Sequence, residues 1–503
     1  MEKKLAVMAA CLIAVVVQAA PAAPLGDDFT LAPSKGLAAP VPLKIENVLA
    51  KPVLTRGAPT QWDAVDVLNP SVVRLNGKLF NYYSGYDGKV WRTGIATSSD
   101  GIVWRKFDSN PVLQPDGKSW DVSYIAANGA AIVWKGKILY FYQGRDKSGR
   151  TQIGLATSSD GFKFTNYPKP VFATGASHTW DSQAVGDPYV IAKDGYLYLY
   201  YLGQDEIATQ RLGVARSSDG VTWQRSPANP ILDVGAYGAF DENGLGEPSV
   251  AYAPPYFYML YTGRSNAEIR NLGYAVSTDG IHWKKMSIAG LITDRQRAAW
   301  NLKVICDSTL LSMGNGNWAV WFGGGDKAEP AQNLNGEVGM MTVDLTQGRN
   351  VAEFDANADW DKTPIRSTDV VRGSFPIEGD PGKRHAWVGP STFFTFPIEQ
   401  TPSDKSLLVS GWVPAATIAK TTKMQGSDRI SVVVNGAEVA SKKFIDDDVF
   451  TISVPLKSVR VAARDADYAE VEIRASRSMV PAEAGSSPDT RRLAFTLTSI
   501  KTQ

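Results

Sequence analysis

Cysteine is nearly missing from this chain. There are two in 503 residues, and Cys11 falls inside an N-terminal apolar run, so Cys306 is left alone. One thiol forms no internal disulfide, and an exported chain of this kind must be held by its core and its sheet pairing. Long apolar runs are missing too. The stretch from Leu5 to Ala20 follows Lys3 and Lys4 and ends among the small residues Ala19, Ala20, Ala22 and Ala23. That pattern predicts a secretory leader over residues 1–24, and so export to the periplasm or the exterior, rather than a membrane span. No later stretch is long enough to cross a bilayer, so no span remains after leader cleavage. Charge of one sign is absent: 52 basic residues face 51 acidic ones, for a net charge of +1. This excludes an electrostatic pull toward nucleic acid or an acidic membrane surface. No segment sustains a 3.6-residue apolar period, which excludes a helical solenoid. No His/Cys/Asp cluster has metal-site spacing, and nothing calls for a metal or a cofactor. Oligomeric state is not encoded in any motif.

What the chain does have is a repeat. An acidic residue followed by Pro and an apolar strand start occurs at Asp187-Pro188-Tyr189-Val190 and again at Glu247-Pro248-Ser249-Val250. The same position is held by Asn69, Asn128, Asp187, Glu247 and Asp307, at spacings of 59, 59, 60 and 60 residues. A near-constant period of this size means a stacked or closed array. Each period carries further marks. A Pro-Val-Leu-like segment (residues 51–54, 110–113, 169–172 and 229–232) precedes an aromatic-acid pair: Trp62-Asp63, Trp120-Asp121, Trp180-Asp181 or Phe240-Asp241, with Trp300-Asn301 in the last copy. After the ring position comes a strand ending in Tyr-x-Gly, as at Tyr142-Gln143-Gly144. A third strand then leads into Asp100-Gly101, Asp160-Gly161, Asp219-Gly220 and Asp279-Gly280. Asp-Gly between alternating apolar residues predicts a two-residue hairpin with both central residues at positive φ.

Four short antiparallel strands in each of five copies predict an all-β fold, a five-bladed β-propeller over residues 45–349. The segment at 51–54 has no counterpart after the fifth copy. It is expected to supply the outer strand of the last blade, which closes the ring and removes open edges. Residues 350–374 read as a polar linker. Alternating apolar residues at Ser406–Val413, Ile430–Val434, Phe450–Leu456, Val471–Ala475 and Leu493–Ile500 predict a jelly-roll-like β-sandwich over 375–503. The 14 Trp and 19 Tyr serve either to pack such sheets or to stack on sugar rings.

The Ser-Ser-Asp-Gly-x-x-Trp repeat, the Asn-Pro-Val-Leu segments, and the Asp-Pro and Glu-Pro inner strand starts resemble the five-bladed propeller glycosidases. These are glycoside hydrolase family 43 and its relatives the invertases, levansucrases and mannoside phosphorylases, and the resemblance covers about residues 45–345. It implies a glycoside hydrolase acting on a carbohydrate substrate, with Glu247 as general acid and Asp187 as the carboxylate that tunes it. The matching base position in the first blade holds Asn69, and an amide takes no proton at neutral pH.

Three ways to complete the site stay open. Asp66, which does not recur, or Asp63 serves as base. Asp307 acts from the fifth inner strand. Otherwise phosphate attacks, as in the mannoside phosphorylases, although those carry an Asp in the second blade where this chain has Asn128. Asn69, Asn128 and Asp307 would then bind substrate, with Arg145 and Arg264 beyond the Tyr-x-Gly turns as clamps and His178 at the cleft. A non-catalytic glycan-binding propeller is the reading from outside enzymology. Asp63, Asp121, Asp181 and Asp241 recur and are read as structural, as are the Asp-Gly hairpins. Glycoside cleavage needs one carboxyl kept protonated and a second group to activate or replace water. A neighbouring carboxylate and partial burial supply the first. Trp387, Phe393, Phe394 and Phe396 offer the C-terminal domain a glycan-binding or a bracing role.

Overall fold

The computed structural model describes the chain from residue 43 onward, apart from residues 116, 125–128, 194, 254–255, 287–288, 315–316, 329–332, 346–352, 360–366, 398–403, 464–467, 484 and 486. The expected leader and Asn128 lie outside the described residues.

The fold is all-β. In the first repeat the strands Asp66–Leu75, Lys78–Tyr86, Trp91–Ser98 and Arg105–Lys106 form one antiparallel sheet in chain order. The fourth repeat does the same with Gly244–Ala253, Tyr256–Arg264, Arg270–Ser277 and Trp283–Lys285. The second and third repeats, with inner strands Ala130–Trp134 and Ala184–Lys193, are joined into one nine-stranded sheet by a single parallel pair, Ala184 with Thr151. The last sheet holds Val304–Gly314, Asn317–Gly325 and Glu337–Asp344, with Lys44–Val48 as its outer strand. The inner strands of successive repeats pack on one another, and the last packs on the first, so they form a closed cycle.

Closure differs in detail from the sequence reading. The outer strand of the last sheet is Lys44–Val48, while the Pro-Val-Leu segment contributes one bridge, Leu54 to Val338. Its counterparts do likewise, Leu113 to Thr93, Phe172 to Ile153 and Leu232 to Leu212. Proline has no N–H to give a ladder, so these segments touch the sheet at one residue and leave it. The Asp-Gly turns differ as well. Only the glycine is left-handed, with φ between 73° and 82° at Gly101, Gly161, Gly220 and Gly280. The aspartate holds the turn through its side chain: Asp100 Oδ1 accepts the N–H groups of Ile102 and Val103, each at 2.9 Å. A side chain that caps two donors replaces the second positive φ.

The aromatic-acid pairs explain the glycines of each repeat. Trp180 lies in a slot over Gly203 and Gly213, where an added Cβ would stand 2.3 Å and 2.5 Å from the indole. The aspartate beside each aromatic is buried and takes a hydroxyl from the Tyr of the Tyr-x-Gly strand. Tyr83 donates to Asp63 at 3.1 Å, and Tyr142 to Asp121 at 2.9 Å. A cation from the outer strand completes three of these sites: Lys106 on Asp63, Arg225 on Asp181 and Lys285 on Asp241. Crowding a slot this tight is costly. Gly203→Ala is expected to lose about 1–3 kcal/mol, read by urea unfolding; an unchanged midpoint would show that the slot has room to give.

The C-terminal residues form one nine-stranded sheet with its own core, built around Val409, Val432, Ile473 and Leu497. Its two end strands, Ala437–Phe444 and Asp447–Pro455, come together, so the sheet curls back on itself. The Asn435-Gly436 hairpin has both residues at positive φ, 46° and 84°. Two helices, Ala415–Thr422 and Leu456–Ala463, were not legible as such in the alternation. The linker is also shorter than expected: Phe354–Asp355 pairs with Ile500 and Ser499 of the last strand, and Val371–Glu378 pairs with His385–Pro397. No helix among the described residues is long and apolar enough to cross a membrane.

Candidate active site

The inner strands of the first, third, fourth and fifth repeats are interrupted at the same place. The register breaks between Leu68 and Ser71, Gly186 and Tyr189, Gly246 and Ser249, and Cys306 and Thr309. The residue carried by the break is left-handed: Asn69 has φ 53°, Asp187 46°, Glu247 53° and Asp307 53°. Asn and Asp visit this region readily, but a Glu there is held by its surroundings. The break takes one side chain out of the alternation of the strand and re-aims it.

The re-aimed carboxyls meet. Asp187 Oδ2 accepts the backbone N–H of Glu247 at 3.2 Å, and Glu247 Oε2 accepts that of Asp307 at 3.1 Å. The x residue of Tyr-x-Gly supports the arc from the preceding repeat. Gln143 Oε1 accepts the N–H of Asp187 at 3.2 Å, and Thr262 Oγ1 that of Asp307 at 3.1 Å. Glycine is required at 246 by close approach, since a Cβ there would lie 2.9 Å from Asp187 Oδ2.

These contacts shift protons. Burial, and then the charge of Glu247, push the Asp187 carboxyl up to about 8, against the opposing pull of the Glu247 N–H and of Arg270. Asp307 is raised well above the usual carboxylate range by burial, by the charge of Glu247 and by a hydrogen bond with it. The buried Cys306 thiol is raised by burial and by Asp307 and Glu247. Donor atoms of Glu247, Cys306 and Asp307 all lie within 4.8 Å of one another, a convergence that no sequence spacing showed. The cation facing them is Arg270. Burial works against its charge, but Glu247, Cys306 and Asp307 together raise its affinity for the proton.

Arg270 was not read from the sequence, yet a signal exists. It opens the third strand of its repeat, three residues before the glycine paired with the Tyr-x-Gly aromatic, where the register places Trp91, Thr151 and Gln210 in the first three copies and Gly336 in the last. A cation in one copy of a column otherwise without one marks a role that the fold does not demand.

The structure treats the other expected site residues differently. Asp66 is not placed as a base. It has no exposure, and its two oxygens accept the N–H groups of Asn333 and Gly336 at 2.7 Å each. Burial raises its pKa while those donors and Arg56 oppose the rise. It clasps the last repeat to the first, with a further backbone donor from Leu334. Asn69 occupies the ring position of the first repeat and is buried. Arg264 has local partners, Glu268 at 3.7 Å and the carbonyl of Asn243 at 3.4 Å. Arg145 is exposed at the end of its strand, in register with Thr151. His178 has a side chain 84% exposed and pairs with Glu206 at 3.0 Å. Neither arginine side chain nor His178 is hydrogen-bonded to the carboxyl arc among the described residues.

Over residues 121–354 the chain matches the profile of glycoside hydrolase family 130, described as beta-1,4-mannooligosaccharide phosphorylase. The chain has a glycoside-hydrolase-like propeller fold. The uncharacterized protein Rv1502 of Mycobacterium tuberculosis (strain ATCC 25618 / H37Rv) is 28% identical over 229 residues, which are 44% of this chain and 74% of that protein. A 1,2-beta-oligomannan phosphorylase of Thermoanaerobacter sp. (strain X514) is 28% identical over 137 residues, 25% of this chain and 44% of that enzyme. Among solved structures, a beta-1,2-mannobiose phosphorylase from Listeria innocua in complex with beta-1,2-mannobiose gives a TM-score of 0.48 at 11% identity, covering 61% of this chain and 98% of that one. A structure described as a glycoside hydrolase gives 0.48 at 19% identity, covering 60% and 92%. The sequence resemblance centres on family 43, whereas the profile that matches carries the description of a mannoside phosphorylase, one of the relatives of that family.

Proposed function

We propose that this protein is an exported, five-bladed propeller enzyme with a C-terminal β-sandwich, and that it cleaves a mannosidic bond at the ring opening. One observation carries the reading: Asp187, Glu247 and Asp307, each 60 residues apart, are turned out of their strands by the same bulge and share hydrogen bonds. Of the Asp187–Glu247 pair, Asp187 holds its proton at neutral pH, and the pair together supplies the proton to the leaving oxygen. Asp307 and Arg270 fix the charge on the far side of Glu247. Mannosides are the substrate class because the family profile and the Thermoanaerobacter relative both carry that description.

Water is the acceptor in the leading reading. Phosphate is the second, and a specific observation favours it. With Asp66 engaged in closure, Asp63 held by Tyr83 and Lys106, and an amide at Asn69, none of the first-repeat candidates is a free carboxylate that could activate water. Incubation with β-linked mannooligosaccharides, with and without inorganic phosphate, decides between them. Free mannose in both conditions supports hydrolysis, and mannose 1-phosphate formed only with phosphate supports phosphorolysis. Glycan binding with no product in either condition overturns the enzymatic reading.

A further inference from the structure

The outer face of the C-terminal sheet carries two tryptophans where alternation calls for polar residues. Strands His385–Pro397 and Ser406–Pro414 flank Phe495–Thr502, and the register puts Trp387 and Trp412 on either side of Thr496. Their neighbours Ala386, Val388, Phe495 and Leu497 point the other way, into the core. The two indoles stay half-buried, with centroids 6.0 Å apart and planes at 76°, so one offers a face where the other offers an edge. They floor an open depression of about 520 Å³. Flat rings beside hydroxyls are the surface that the apolar side of a pyranose fits.

The rim decides which sugar. Lys383, Arg384 and His385 line one side, and the lining contains no Asp or Glu. In a chain whose net charge is +1, three consecutive basic residues on one side with no acid in the lining are a local departure. Neither Lys383 nor Arg384 has an ion-pair partner among the described residues, and the turn that carries them is fixed from behind, where the Arg384 N–H donates to Asn357 Oδ1 at 3.1 Å. Unpaired donors held beside an aromatic floor match a carboxylate or phosphate group attached to a sugar ring.

We infer that this depression is a non-catalytic binding site for an acidic glycan, with a sugar ring on Trp387 and Trp412 and its anionic group at Lys383 and Arg384. The inference does not depend on the activity of the ring. Isothermal titration of the full chain with a tetragalacturonate, alongside neutral mannotetraose, tests it. The acidic oligosaccharide should bind, and more weakly at 300 mM than at 50 mM salt. Lys383→Gln with Arg384→Gln, both in a solvent-facing turn, should raise Kd by about tenfold or more. Trp387→Ala with Trp412→Ala should abolish binding. Glu247→Gln should leave it unchanged, so loss of ring activity and loss of this site are separable. Affinity unaffected by the Lys383 and Arg384 changes, tighter binding of mannotetraose at the tryptophans, or no binding of the acidic glycan would each overturn the assignment.

Discussion

Replacing Glu247 with Gln is expected to lower kcat on a mannooligosaccharide by about 10²- to 10⁴-fold, the usual contribution of a positioned proton donor or its partner. The substitution is conservative for the fold. A Gln side-chain oxygen still accepts the Asp307 N–H that Glu247 Oε2 accepts at 3.1 Å, and the φ of 53° at this position is unchanged in kind. What disappears is charge. Glu247 is the charged neighbour that adds to burial in raising Asp187, so without it Asp187 releases its proton at lower pH. The residual activity should therefore show an alkaline limb moved toward acid, a readout that a merely structural role would not produce. Full turnover in a folded Glu247→Gln protein would remove the pair from the chemistry.

The second large effect is on stability. Asp187 keeps its proton in the folded chain up to about pH 8, whereas an unfolded Asp releases it near 3.8. Between these values the folded state binds more protons than the unfolded one, so stability falls as pH rises through the interval. Each unit of separation corresponds to about 1.4 kcal/mol, which puts the full effect on the order of several kcal/mol. Asp187→Asn removes the titration without disturbing the backbone, because Asn adopts the left-handed region as readily as Asp and already does so at Asn69, with φ 53°. Urea unfolding should show the variant more stable than the parent at pH 8, with the advantage shrinking toward pH 4. Asp307 is raised in the same direction and will leave part of the slope in place. An offset between the two proteins that does not change with pH would show that Asp187 is charged in the fold.

The repeat made most of this legible. A column of Asn69, Asp187, Glu247 and Asp307 could be aligned by eye because the bulge that turns these residues out also fixes the Pro or Ser that follows, so one structural need wrote the same pattern into each copy. The structural role of Asp63 and its counterparts followed from the same logic, and the Tyr hydroxyls and cations on them give it a physical form. Two things escaped. Asp66 looked functional because it does not recur. Its uniqueness comes instead from the seam, where it takes two N–H groups some 270 residues away, a contact made once because a ring has one join. Arg270 escaped because a strand's opening residue carries no motif, and its meaning lies in carboxyls that arrive from the inner strands of its own repeat and the next.

The seam has a consequence for biosynthesis. Among the described residues Lys44–Val48 pairs with Glu337–Asp344, and Asp66 takes its donors from the segment Asn333 to Gly336. A nascent chain with four repeats outside the ribosome still has both ends of its ring unmatched. Completion waits until some 300 residues separate the first strand from the tunnel exit. For the export proposed above such lateness would be an advantage, since a shape that cannot close early does not jam passage through a membrane.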